Sequence, residues 1–424
     1  MMLRRVFAGT VAAAALLAAC SDSDEGTTAT DPTAASADTG APSDTGVDDT
    51  GAPGTTPPAT SDTAPVASDA RSSQLLLATG AWPTDWSNTT IDLAELAVGL
   101  PSADPRDGIP PLYSPTFEST AAGAEWLAPQ DPGALVVIDG DARFFPLAIM
   151  TRHEIANAEL AGVPVALTYC PLCNTALAFD RRLDGEEIRL GVSGLLRNSD
   201  LVMWDHRTTS LWQQITGEGI VGEHAGRQLT RLPTAIVGYG EFVEAHPDGQ
   251  VLSRDTGFGI DYGANPYTGY SSLPAPFPGF AESPTDTRFP ALERVVGVTI
   301  GDTDKAYAFS SLESMPAIND VVADTPVAVL WGGVTADALD QRSISDSRQI
   351  GTAIAFLATL DGQVLTFSQQ GDSVFTDAET GSTWTLLGRA VDGPLAGRQL
   401  ELAPHRNEFW FAFNAFFPDA DVWE

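Results

Sequence analysis

Asp205-His206-Arg207-Thr208-Thr209-Ser210-Leu211-Trp212 returns further down the chain as Asp377-Ala378-Glu379-Thr380-Gly381-Ser382-Thr383-Trp384, with Asp, Thr, Ser and Trp at the same spacing. Working outward, Ala225-Gly226-Arg227-Gln228-Leu229 recurs letter for letter as Ala396 to Leu400. Pro233, Phe242, Pro247 and Asp248 match Pro404, Phe413, Pro418 and Asp419. Upstream, Thr175-Ala176-Leu177-Ala178-Phe179 with Leu183-Asp184-Gly185 matches Thr352-Ala353-Ile354-Ala355-Phe356 with Leu360-Asp361-Gly362, and Ile138, Asn157 and Pro164 match Ile300, Asn319 and Pro326. Blocks that keep their order over so long a stretch mark an internal duplication.

The fold class expected is α+β and β-rich. Two tandem related modules, 135–252 and 296–424, are built of short antiparallel strands, each with one or two helices. Ala134–Asp139 and Ala142–Pro146 flank an Asp139-Gly140 turn and read as a hairpin. Pro146 then opens a helix expected to run from Leu147 to Leu160. Val163–Tyr169 and Ala176–Asp180 read as strands, and Phe242–His246 and Phe411–Phe417 as short aromatic helices. The shared Asp, Thr, Ser and Trp read as scaffold: such a pattern makes turn-type side-chain bonds to backbone, and tryptophan fills a core.

Features found in one copy are the better candidates for function. Cys170-Pro171-Leu172-Cys173 stands between two strands of the first module, whereas the second carries fifteen more residues there and no cysteine. Two thiols at this spacing can close a small disulfide, cycle between dithiol and disulfide, or hold a soft metal. A disulfide over so short a loop removes only about 2 kcal/mol of unfolded-chain entropy, which makes it a weak staple. His153 and Glu154 also belong to the first copy, as does the loop Gly191 to Asp200. His153 is a candidate metal ligand or proton carrier. The glycine-rich loop lacks the Lys-Ser/Thr of a phosphate cradle, but it can offer Arg197, Asn198 and Asp200 to a pocket, with Tyr169 beside the thiols. Between the modules, 253–295 is an aromatic and proline-rich connector.

The chain has 424 residues and a formal charge of −34, and Lys305 is its only lysine. That balance argues against nucleic acid as a partner, since phosphates need a basic face. Residues 1–20 read as an export signal: Arg4 and Arg5 precede an apolar stretch too short to span a bilayer. It ends in Leu17-Ala18-Ala19-Cys20, which resembles the bacterial lipobox, so Cys20 is expected to carry the lipid that anchors the chain to the outer face of the membrane. Arg4-Arg5 before Val6-Phe7 also resembles a twin-arginine signal. Residues 21–72, almost entirely Ser, Thr, Ala, Gly, Pro and Asp, read as a disordered acidic tether with a reach on the order of 40 Å. Residues 73–134 read as an extension packing on the core.

These residues resemble the bacterial and archaeal family called domain of unknown function 3179. The resemblance rests on Thr168 to Cys173, on His153-Glu154-Ile155-Ala156-Asn157, on Gly191-Val192-Ser193-Gly194 with Asn198-Ser199-Asp200-Leu201, on Asp205 to Trp212, on Ala225 to Leu229 and on Asn265-Pro266-Tyr267. The family carries no established reaction, and the resemblance therefore implies little about mechanism. Some members are described as selenoproteins, which by analogy implies redox chemistry. This chain departs from the family pattern at Ala158, where aspartate is usual, and at His206 and His224.

Thiol–disulfide chemistry is the leading expectation. Cys170 and Cys173 would cycle with an unidentified redox partner, with His153 or Arg197 stabilising a thiolate of lowered pKa that solvent can reach. The alternative is a copper site formed by Cys170, Cys173 and His153, with zinc the weaker metal because only three ligands are in hand. A third reading is a binding scaffold with a structural disulfide and no cofactor.

Overall fold

The computed structural model describes residues 71–277 and 286–424. The export signal, the twin-arginine resemblance, Cys20 and nearly all of the 21–72 tether lie outside the described residues. The chain is strand-rich, with small antiparallel sheets and few helices.

Both halves run through the same order of elements. A first hairpin (Pro132–Ile138 with Asp141–Pro146; Arg294–Ile300 with Thr303–Ala308) leads into a helix of two turns or less (Leu147–His153; Phe309–Ser314). A second hairpin follows (Ile155–Leu160 with Val163–Cys170; Ala317–Val322 with Thr325–Gly332), then a third strand on its edge (Thr175–Asp180; Thr352–Leu357). A four-stranded antiparallel run comes next, from Leu190 to Val221 in one half and from Phe367 to Asp392 in the other. The last long strand (Thr234–Gly238; His405–Phe409) returns to the first hairpin, and a short closing strand pairs in parallel on its other side. The strands that the two halves share keep the same order in each sheet.

The repeated octet is scaffold in both. The Asp205 carboxylate accepts from the Thr208 amide at 2.7 Å and the Trp212 indole at 3.0 Å; Asp377 accepts from Thr380 at 2.6 Å and Trp384 at 2.8 Å. Each tryptophan is buried at the centre of its layer, with its one polar atom satisfied by the turn that precedes it. Asn157 and Asn319 likewise each exchange two hydrogen bonds with the backbone of a strand in the next sheet, at Leu190 and Phe367.

The two halves also grip one another reciprocally. Strand Thr234–Gly238 of the first packs on Thr352–Leu357 of the second, and its counterpart His405–Phe409 packs on Thr175–Asp180. Each half offers the same patch to the other, as the subunits of a two-fold dimer do. Residues 73–134 add edge strands to the first half: Leu96–Val98 beside Leu190–Arg197, Leu112–Tyr113 beside Ile155–Leu160, and Phe117–Ser119 beside Gln250–Leu252.

Two local expectations fail. The helix from Leu147 ends at His153, and Ile155–Leu160 is a strand. Glu154 adopts φ +56°, which no helix continues, and the Ala161-Gly162 turn, both residues at positive φ, folds the next segment back on Val163–Cys170. The glycine-rich stretch is also a strand, Leu190–Arg197, and not a loop. Gly194 at φ +74° makes a bulge packed on Pro105, and only Asn198-Ser199, both at positive φ, form a turn.

Candidate functional site

Strand Val163–Cys170 delivers Cys170 as its last residue, directly across from Thr175. The chain must therefore reverse within Pro171-Leu172-Cys173-Asn174. Proline cannot donate in the ladder, and Asn174 closes the turn at φ +55° with its amide bonded to the Pro171 carbonyl. This turn is clamped from outside by the rest of the chain. The Tyr270 hydroxyl of the connector donates to the Leu172 carbonyl at 2.9 Å, and the Phe409 amide of the second half donates to the Cys173 carbonyl at 2.9 Å. The Tyr169 hydroxyl donates to Asn174 at 3.2 Å.

Both cysteines are free thiols and both are buried. This corrects the expectation of a disulfide and of one thiol open to solvent. Burial is also the leading reason that both thiols titrate above their ordinary value, Cys173 the more strongly. A thiolate lowered by His153 or Arg197 is not what surrounds them. The His153 ring nitrogens are taken by the Pro110 carbonyl and the Tyr262 hydroxyl, each at 2.6 Å, and burial lowers the pKa of that ring. Arg197 pairs with Glu95 at 2.7 Å. Asn198 lies half-buried in the hairpin turn.

What the fold does bring to the thiols is carboxylate. The Asn198-Ser199 turn presents the Ser199 carbonyl to Cys170 Sγ at 3.5 Å and starts the next strand at Asp200. Cys170 Sγ, Cys173 Sγ and an Asp200 oxygen all lie within 4.8 Å of one another, and all three residues are buried. Asp200 Oδ2 accepts from the Gln213 side chain at 2.6 Å and the Ile215 amide at 3.0 Å, which fixes the carboxyl plane. Its Oδ1 has no hydrogen-bond partner among the described residues. Burial pushes the pKa of Asp200 up to about 6, against these hydrogen bonds and the nearness of the two thiols.

Glu154 completes the set. It sits at the end of the short helix with its carbonyl accepting from the Tyr169 amide at 2.7 Å, so its strained backbone is held by the strand that carries the thiols. Burial, then the neighbouring charge of Asp200, raises its pKa to about 8. The sequence offered one signal for it: Glu154 stands where the second copy has Pro316, a residue that cannot adopt its φ. Gln213 and Tyr270 carry no signal in the sequence; only the folded chain brings them to the turn and to Asp200.

Fold and site together define a duplicated β-rich scaffold in which one copy encloses a dithiol flanked by two buried carboxyls. The chain belongs to the family described as protein of unknown function (DUF3179), whose match covers residues 106–420. No curated protein and no solved structure matches it.

Proposed function

We propose that Cys170, Cys173 and Asp200 bind one borderline divalent metal ion, zinc foremost. The observation that carries this reading is the convergence of three buried donor atoms within 4.8 Å, on an Asp200 carboxyl whose Oδ1 has no hydrogen-bond partner among the described residues. Burying carboxyl and thiol groups together without a cation is costly, and each holds its proton upward in pKa for that reason. A divalent ion replaces those protons and satisfies the orphaned oxygen at once. Tetrahedral zinc with bonds of about 2.3 Å to sulfur sets a sulfur–sulfur separation near 3.7 Å, so the cluster needs to contract by at most about 1 Å. Copper(I) would use the two soft thiolates and leave the hard carboxylate idle, and so the donor set favours zinc over copper. Glu154 is coupled to the same cluster: its charge raises the pKa of Cys170, and the charge of Asp200 raises its own.

The burial and raised pKa of both thiols speak against a freely cycling redox pair. The Leu17–Cys20 stretch supports a lipid-anchored, extracytoplasmic location for this module; Cys20→Ala is expected to release the protein from membranes.

The test is metal content. Full chain prepared without chelator is expected to hold one equivalent of zinc, and cobalt substitution is expected to give thiolate-to-metal charge-transfer absorption. Cys170→Ser, Cys173→Ser and Asp200→Asn should each lose both signals. Protein that takes up no metal with its thiols reduced, or a quantitative Cys170–Cys173 disulfide after isolation, would overturn the reading.

A further inference from the structure

The second half has its own undersatisfied charge, on residues that play no part in the thiol cluster. Where the first half turns in four residues, the second runs through 333–351, and this loop carries Asp337 into the interior, fully buried. Two guanidinium groups converge on it: Arg294 at 2.6 Å and Arg348 at 2.8 Å. The Ser271 hydroxyl and the Leu339 amide donate to the same carboxylate. Asp337 is thereby saturated, and its single negative charge faces two positive ones.

Arg294 is only 7% exposed, and its Nε has no hydrogen-bond partner among the described residues. A buried cationic donor left unpaired is costly, so the arrangement is complementary to one further negative charge. Arg294 and Arg348 line a cavity of about 430 Å³ whose wall includes Trp331. The indole nitrogen of Trp331 is tied to the Ile350 carbonyl at 3.3 Å, which fixes the ring as a flat apolar surface. At the rim stand Glu293, which accepts from the Ser310 amide, and the exposed Glu313.

We propose that this cavity binds a small carboxylate, held by the Arg294 and Arg348 guanidiniums against the face of Trp331. The charge pattern selects the class. Two arginines against Asp337 leave one positive charge, which a monoanion matches in planar hydrogen-bonding geometry. The two rim glutamates repel a dianionic phosphate and suit a ligand whose far end bears an ammonium or hydroxyl group. The first half has no such site, because Pro132 stands where Arg294 does and its turn is too short to carry an Asp337.

Acetate, serine and inorganic phosphate serve as probes, titrated into the full chain labelled with ¹⁵N-tryptophan. The readout is the Trp331 indole N–H resonance, assigned with Trp331→Phe. Acetate and serine are expected to shift it with millimolar affinity or better, and phosphate to bind no more tightly than acetate. Arg294→Met removes a buried ion pair and can unfold the chain, so Arg348→Met, at a side chain 44% exposed, is the working variant. It is expected to weaken both carboxylates at least tenfold with the other indole resonances unmoved, and Arg348→Lys to recover part of the loss. Failure of both carboxylates to shift Trp331, equal affinity in Arg348→Met, or tighter binding of phosphate would each overturn the proposal.

Discussion

Strands Val163–Cys170 and Thr325–Gly332 hold the same central place among three equivalent strands, yet the chain leaves them differently. The first turns sharply on proline and encloses two thiols; the second wanders through a long loop that buries Asp337 between two arginines. One residue before each hairpin, Glu154 with its positive φ faces the solution found in the second half, Pro316. Three devices that hold the sheets together are common to both halves: the Asp-Thr-Ser-Trp turn, the bridging asparagine and the reciprocal strand packing. The copies diverge where the chain leaves these strands, and both proposed sites draw on that divergence. A scaffold stabilised by repeated interactions can tolerate the destabilising burial of acids and thiols there.

The largest expected effect tests that shared scaffold. Trp212→Ala and Trp384→Ala each remove a fully buried indole and deprive Asp205 or Asp377 of one of its donors. Each is expected to cost about 3–5 kcal/mol in urea unfolding. If one tryptophan proves indispensable and the other nearly neutral, the two halves are alike in shape but not in energetics, and the comparison breaks.

A second effect, expected in the first half only, depends on pH. Asp200 titrates near 3.8 when unfolded and at about 6 in the fold. Glu154 moves from 4.5 to about 8. With the folded value the higher one, each group favours the fold while protonated, and that contribution is lost as pH rises through the folded pKa. For Asp200 the two-unit difference corresponds to about 3 kcal/mol. In metal-free protein, Glu154→Gln should therefore raise stability at about pH 9 and leave it unchanged near pH 4, below both of its pKa values. Unfolding curves in chelator at the two pH values check this. An equal effect at both would place the Glu154 carboxylate outside the cluster's field.

Much of this architecture was legible in the chain because duplication writes itself twice. The paired blocks announce the repeated order of elements, and the Asp139-Gly140 signal the first hairpin. The helix overran its end because Ile155-Ala156-Asn157-Ala158-Glu159-Leu160 is compatible with either period, and only pairing with Val163–Cys170 decides for strand. Glycine density suggested a loop at Gly191–Gly194, whereas those glycines are there to let Trp204 and Pro105 approach the strand. At the site, Cys170, Cys173 and Asp200 each stand out in the sequence, but their meeting depends on two hairpins from different sheets. His153 was drawn toward the thiols by proximity in sequence; its ring points to Pro110 and Tyr262 instead.

The smallest effect separates those two surroundings. Tyr270 and Tyr262 are both buried connector tyrosines, each with its hydroxyl in a hydrogen bond. Tyr270→Phe strands the Leu172 carbonyl inside the thiol turn, while Tyr262→Phe strands a nitrogen of His153. Either change should cost about 1–2 kcal/mol of stability, the usual consequence of leaving one buried partner unmet. Their effects on metal should differ. The Leu172 carbonyl lies between the two ligating cysteines, so releasing it loosens the separation of the sulfurs and is expected to weaken zinc by several-fold, though less than tenfold. His153 contributes no donor to the Cys170, Cys173 and Asp200 cluster, and Tyr262→Phe should leave zinc affinity unaltered. Competition titration against a chromophoric chelator measures both. Equal weakening by the two variants would bring His153 back into the site, and the first half would then owe its chemistry to the helix end as much as to the turn.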